Sequence, residues 1–271
     1  VDLTAALIDI NAGITANGFE VELNSSAGLT IDGGAITTTG GGNAAAGVID
    51  INITNGNATI NSSLIAQGGT ATNAVGQAGG AVTIDTGAAD TVTFGTAADI
   101  NTSGSAADGG NRNGGVGGAV TINTGDALIT LTDTTITTSG GAKSGNGTDA
   151  AGGNVTFSDE VALANGGVTI TTGDTAGNIL FSDTLNGTQT LGLTAGTGNI
   201  DFNGIVGGGT ALGKVTISSA GTITTADAFS AAGLEWTSTG ETQLGGLVTS
   251  TEVVDLTAAL IDINAGITAN G

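Results

Sequence analysis

The sequence predicts an all-β protein, a parallel β-helix (β-solenoid) with three short strands in each coil. Three observations carry this prediction. A four-residue pattern (aliphatic, polar, aliphatic or Phe, then Asn, Asp or Ser) recurs along the chain, with further short strands between its copies. Most of these segments are closed by Gly, Asn, Asp or Ser, residues that turn a backbone at low cost. Residues 254–271 repeat residues 1–18 without a change, VDLTAALIDINAGITANG, so a unit of 253 residues ends and its copy begins.

The pattern first reads Ile8-Asp9-Ile10-Asn11, Val21-Glu22-Leu23-Asn24 and Ile49-Asp50-Ile51-Asn52. It continues as Val82-Thr83-Ile84-Asp85, Val120-Thr121-Ile122-Asn123 and Val155-Thr156-Phe157-Ser158. Later copies are Ile179–Ser182, Ile200–Asn203 and Val215–Ser218. The first and third residues of each copy face one way and the second the other, as a strand of period two requires. Stacked coils then predict one inward ladder of Val21, Ile49, Val82, Val120 and Val155. A second is predicted from Leu23, Ile51, Ile84, Ile122 and Phe157. The fourth residues, Asn24, Asn52, Asp85, Asn123 and Ser158, are expected to stack at a corner and to hydrogen-bond along the axis. Thr83, Thr121 and Thr156 are expected on the outer face, where β-branched residues suit a strand.

Between the copies lie strands of the same kind. Thr91–Gly95 and Ala98–Thr102 follow Ala81–Gly87, and Leu128–Asp133 and Thr134–Gly140 follow Ala119–Gly125. With insertions set aside, a cycle takes roughly 18–25 residues, giving about ten coils per unit and a rise on the order of 50 Å at the spacing of stacked strands.

Four successive cycles carry a Gly/Ala-rich insertion after their third strand, at Gly40–Gly47, Gln67–Gly80, Ser103–Gly118 and Gly141–Gly153. Insertions at one place in consecutive coils should project together as a flap. The unit thus divides into residues 1–153, with insertions, and 154–253, with shorter coils; 254–271 starts the next copy. Two of the three basic residues, Arg112 and Lys143, fall in the flap and are candidates for lateral contact with an acidic neighbour.

Composition agrees with a narrow, regular core. The chain has 51 Gly and is 39% hydrophobic, yet only 3% aromatic, so burial must come from Val, Ile, Leu and Ala. Pro is absent, as expected where nearly every N–H joins a ladder. Net charge is −21. Such acidity argues against nucleic acid, which needs clustered Lys and Arg, and against anionic membrane surfaces. No membrane-spanning helix is expected, since no run of 18 apolar residues occurs. The segment VDLTAALID has no basic stretch of the kind that opens a signal peptide.

The catalytic repertoire is restricted. Without His or Cys, the usual nucleophilic triads, imidazole metal sites and thiolate chemistry are excluded. Paired carboxylates remain conceivable, as in solenoid polysaccharide hydrolases. The basic and aromatic groups that grip sugar are scarce here, so no enzyme, no catalytic residue and no cofactor are expected. Asp108–Gly114 lacks the acid spacing of a calcium loop. Diffuse Ca2+ bridging by surface carboxylates stays open, without a nameable coordination shell.

Phrases such as Gly117-Gly118-Ala119-Val120-Thr121-Ile122-Asn123-Thr124-Gly125 and Gly196-Thr197-Gly198-Asn199-Ile200-Asp201-Phe202-Asn203-Gly204 resemble repeats of giant bacterial surface proteins. These are the filamentous-haemagglutinin-like adhesins and related β-strand-repeat exoproteins. The likeness covers most of the chain and is one of repeat style, with no diagnostic site motif. It implies a right-handed parallel β-helix, an extracellular or cell-surface location, and adhesive or matrix roles. The exact recurrence of the opening segment is a departure from many adhesins, whose repeats have diverged. The expectation is therefore a structural filament of β-solenoid units stacked end to end. Its partners are copies of itself, head to tail and laterally through the insertions. The alternative is an adhesin shaft whose binding modules lie elsewhere.

Overall fold

The computed structural model describes residues 1–87, 90–96 and 98–270, and among these every regular element is a β-strand. The strands pair in parallel, in register apart from one shift between Leu193 and Thr194, forming three ladders that the chain visits in turn, a parallel β-helix with three strands per coil. Face 1 is continuous through eleven strands. They are Asp2–Ala5, Val21–Ser25, Ile49–Ile53, Val82–Thr86, Val120–Asn123, Val155–Phe157, Ile179–Phe181, Ile200–Phe202, Ile223–Thr225, Glu241–Leu244 and Leu260–Ile263.

Face 2 begins with Ile8–Ile10, Leu29–Ile31, Ala58–Ile60, Val92–Phe94, Ile129–Thr132, Val161–Ala164 and Leu185–Asn186. Face 3 begins with Ile14–Thr15, Ile36–Thr37, Leu64–Ile65, Ile100–Asn101, Thr135–Thr137, Val168–Thr171 and Leu191–Thr194, then Leu212–Ser219. Near the end one strand, Phe229–Thr237, serves two faces. Its inward residues are Phe229 and Ala231, then Leu234 and Trp236, so the alternation breaks at Gly233 where the strand turns a corner. The first half continues face 2, because single bridges link Leu185 to Val206 and Val206 to Phe229. Val248–Ser250 and Ile267–Ala269 then extend it. The second half continues face 3, pairing with Val215–Ile217 on one side and Val254–Thr257 on the other.

The sequence dictates these strands through burial. A lone coil exposes its inward side chains above and below; a neighbour on each side removes them from water at about 1.5–3 kcal/mol apiece. Val21, Ile49, Val82, Val120 and Val155 pair in a column, as do Leu23, Ile51, Ile84, Ile122 and Phe157, and all ten are fully buried. From residue 155 onward a row of aromatic rings joins the aliphatic side chains of the core. Phe157, Phe181 and Phe202 stack at centroid separations of 5.0 and 5.3 Å, and Phe229 and Trp236 close the row.

Three features differ from the sequence-based expectation. The strands Val21–Ser25, Ile49–Ile53 and Val82–Thr86 run through Asn24, Asn52 and Asp85, which therefore sit mid-strand and face outward; the chain turns after Ser25, Ile53 and Thr86. Asn123 ends its strand, still facing outward, and Ser158 lies just past its strand. A fifth residue facing inward explains the extension: Ser25, Ile53 and Thr86 are all buried. Second, the four-residue pattern is not confined to one face, since Ile8–Ile10 lies on face 2 and the Val215–Ser218 copy on face 3. Third, Asp2–Ala5 forms a face 1 strand that the pattern does not mark, its register shown by Leu3↔Leu23.

Coil length varies chiefly with the insertions. Short coils join the face 1 partners Asp2↔Glu22 and Thr242↔Ile261, whereas Val82↔Val120 encloses an insertion and a coil nearly twice as long.

Candidate functional site

The four Gly/Ala-rich insertions all leave from the corner between face 3 and face 1 and stack on one another. Outgoing legs are joined by Gly40 N–H to Gln67 O, Gly68 N–H to Ser103 O and Gly104 N–H to Ser139 O, at 3.1, 2.9 and 2.9 Å. Returning legs are joined by Gly79 N–H to Val116 O and Gly117 N–H to Ala151 O, at 2.9 and 3.0 Å. The flap is therefore an ordered layer with its own backbone hydrogen-bond ladder.

Its root is built from small residues. Fully buried Thr38, Thr102 and Thr138 donate their hydroxyls to the carbonyls of Gly47, Gly118 and Gly153 at 2.7, 2.6 and 2.6 Å, tying the outgoing leg to the returning one. Buried polar groups need such partners. The glycines themselves form a column in which each faces the carbonyl of the one before. A Cβ on Gly80 would stand 1.9 Å from Gly47 O, one on Gly118 2.1 Å from Gly80 O, and one on Gly153 2.0 Å from Gly118 O. None of these glycines is in the left-handed region, so close approach alone requires them.

Arg112 lies in the flap, half-buried, and its guanidinium turns back onto the neighbouring insertion. Nη1 donates to the Asn73 carbonyl and Nη2 to Asn73 Oδ1. Lys143 is exposed and stands 3.9 Å from Asp149 of its own insertion. The third cation, Lys214, lies on face 3 beside Glu235 at 2.5 Å. Its hydrogen bond to Glu235 and the charge of that carboxylate, with Glu252 adding, raise the ammonium pKa above its usual value.

On face 1 the outward Asn and Asp side chains bond in pairs along the axis: Asn52 Nδ2 to Asn24 Oδ1 at 3.2 Å, and Asn123 Nδ2 to Asp85 Oδ1 at 3.0 Å. One column over, Asp2, Glu22 and Asp50 are direct partners on consecutive rungs. Among the described residues no group of three or more Asp or Glu is arranged to hold a metal ion.

The two outermost rungs are the other distinctive surface. Asp2–Ala5 and Leu260–Ile263 each border a single strand of face 1. Apolar side chains there are partly uncovered, including Val1 and Leu3 on one rung and Ile261, Ile263 and Ile267 on the other. The duplicated segment supplies both rungs but occupies different faces. Asp2–Ala5, Ile8–Ile10 and Ile14–Thr15 lie on faces 1, 2 and 3. Their copies Val254–Thr257, Leu260–Ile263 and Ile267–Ala269 lie on faces 3, 1 and 2. The repeat was legible in the sequence; this change of face was not, because it depends on how many strands the intervening coils contain. No protein-family model, curated protein or solved structure matches the chain.

Proposed function

We propose that the chain is a structural repeat of an extracellular bacterial filament, extended end to end by coil-on-coil stacking. The observation that carries this reading is that one 18-residue segment forms a complete rung at two places in the same stack. It receives Val21–Ser25 on Asp2–Ala5, and it is itself received by Leu234–Thr237 through Val254–Thr257. A rung that can be both followed and preceded by this unit's own coils supplies a template for the next copy. Continuation would satisfy strand edges that otherwise invite unspecific aggregation. The scarcity of cations and the absence of His and Cys favour a mechanical role over catalysis. The likeness in repeat style to bacterial surface exoproteins supports the location outside the cell.

The test is electron microscopy and fibre diffraction of protein containing several consecutive copies of the repeating unit. Straight rods lengthening by roughly 50 Å per copy, with a meridional reflection near 4.8 Å, are expected. Beads joined by slack linkers would overturn the filament reading. A parent reading frame with a single copy would turn it toward an adhesin shaft.

A further inference from the structure

The structure points to a junction that turns, and we infer that each copy in the filament is rotated by one third of a turn about the axis relative to the copy before it. The inference rests on the stacking continuation proposed above and adds its geometry. Following the chain from Asp2–Ala5 to Val254–Thr257 passes 27 strand steps; the Val206 bridge and the second face of Phe229–Thr237 add one position each, giving 29. Ten complete coils would need 30. The unit therefore stops one face short, and its copy starts on face 3 where the original started on face 1.

Side-chain phase is preserved across this change of face. Val254 and Leu256 pair with the inward residues Leu234 and Trp236, just as Leu3 pairs with inward Leu23. Ile261 and Ile263 pair with buried Thr242 and Leu244, as Ile8 and Ile10 pair with buried Leu29 and Ile31. Ile267 pairs with buried Val248, as Ile14 pairs with buried Ile36. Apolar side chains thus meet the core whichever face the segment occupies. Coil lengths agree as well: Asp2↔Glu22 at one site and Thr242↔Ile261 at the other are both joined by short coils without insertions. The next rung of the copy would repeat Val21–Ser25 and stack on Val254–Thr257 by the contacts it already makes with Asp2–Ala5, so the rotation is carried through the whole copy.

The consequence lies in the flaps. In one unit all four leave the corner between faces 3 and 1. In the next they leave the corner between faces 2 and 3, and in the third that between faces 1 and 2. The filament presents flaps in three directions, each recurring every 29 coils, or about 140 Å.

Cryo-electron microscopy of a three-copy protein tests this directly. Flaps at three azimuths 120° apart, with an axial step of about 46 Å, are expected. A continuous rod with all flaps in one line would overturn the rotation and leave the stacking intact. Separate bodies without a shared ladder would overturn both. As a second measurement, the absence of Cys allows one spin label per copy at the exposed flap residue Asn146 through Asn146→Cys. In a two-copy protein the label separation is expected to exceed the axial step clearly. A separation equal to a ten-coil rise of about 48 Å would contradict the turn.

Discussion

At the scale of single residues, the molecule is governed by what one coil presents to the next. Gly118 faces the Gly80 carbonyl so closely that a methyl group there has no room. Gly118→Ala is therefore expected to lower stability by about 1–3 kcal/mol through overpacking. Gly41→Ala, with nothing within 4 Å of the added carbon, should change it by less than about 0.5 kcal/mol. Urea unfolding of the two variants decides whether steric fit, and not glycine content, organises the flap. Charge acts through the same register. Glu22 is paired directly with Asp2 and Asp50, and like charges opposite one another are unfavourable. Glu22→Gln keeps the acceptor for Asn24 Nδ2 and removes the repulsion. A gain of about 0.3 kcal/mol is expected, shrinking as salt screens the ladder; equal or lower stability in low salt would contradict it. The inward members of these ladders were legible because alternation marks them. Stacking Val21 on Ile49 also set Glu22 beside Asp50, but Asp2 could not be placed, because Asp2–Ala5 lacks the pattern that sets the register.

At the scale of strands and insertions, the two halves of the unit solve the core differently. The first half fills it mainly with Val, Ile and Leu around the isolated ring of Phe94, while the second places Phe157, Phe181, Phe202, Phe229 and Trp236 in one row. Phe181 is sandwiched between two rings and 1% exposed, so Phe181→Ala is expected to cost about 3–5 kcal/mol. Phe19, 75% exposed, should tolerate the same change within about 0.5 kcal/mol. Thermal unfolding separates them, and similar losses at both sites would contradict the packing described here. The insertions were visible in the sequence as Gly/Ala-rich runs at one place in successive cycles. Their internal ladder was not, because its donors and acceptors belong to the backbone and leave no mark on side-chain chemistry. Arg112 illustrates the point: it was visible as a lone cation of the flap, but the bonds of its guanidinium to Asn73 of the neighbouring insertion were not.

At the scale of the whole molecule, the described coils repeat one stacking rule, each pairing in parallel with the coil before it. Each coil covers the apolar side chains of the one before, so stability accumulates coil by coil. An acidic surface then limits side-by-side association at low ionic strength. Filaments of consecutive copies are expected to disperse in low salt and to bundle as salt is raised, which light scattering can follow; bundling that weakens with salt would contradict a role for net charge. If copies join with the inferred turn, the flaps point in three directions around the axis, and bundles formed through them should pack on three sides.

The sequence by itself determined the fold class, the inward columns, the places where insertions leave the coil, and the recurrence of the opening segment. Each of these is encoded locally, in a period of two or in a run of identical letters. Only the tertiary structure decided which strand lies on which face, that Val206 and Phe229–Thr237 count as face positions, and that the repeated segment returns one face early. Face assignment is a running count over the whole coil stack. One miscounted corner changes it for every residue that follows, and no short stretch of sequence carries that count.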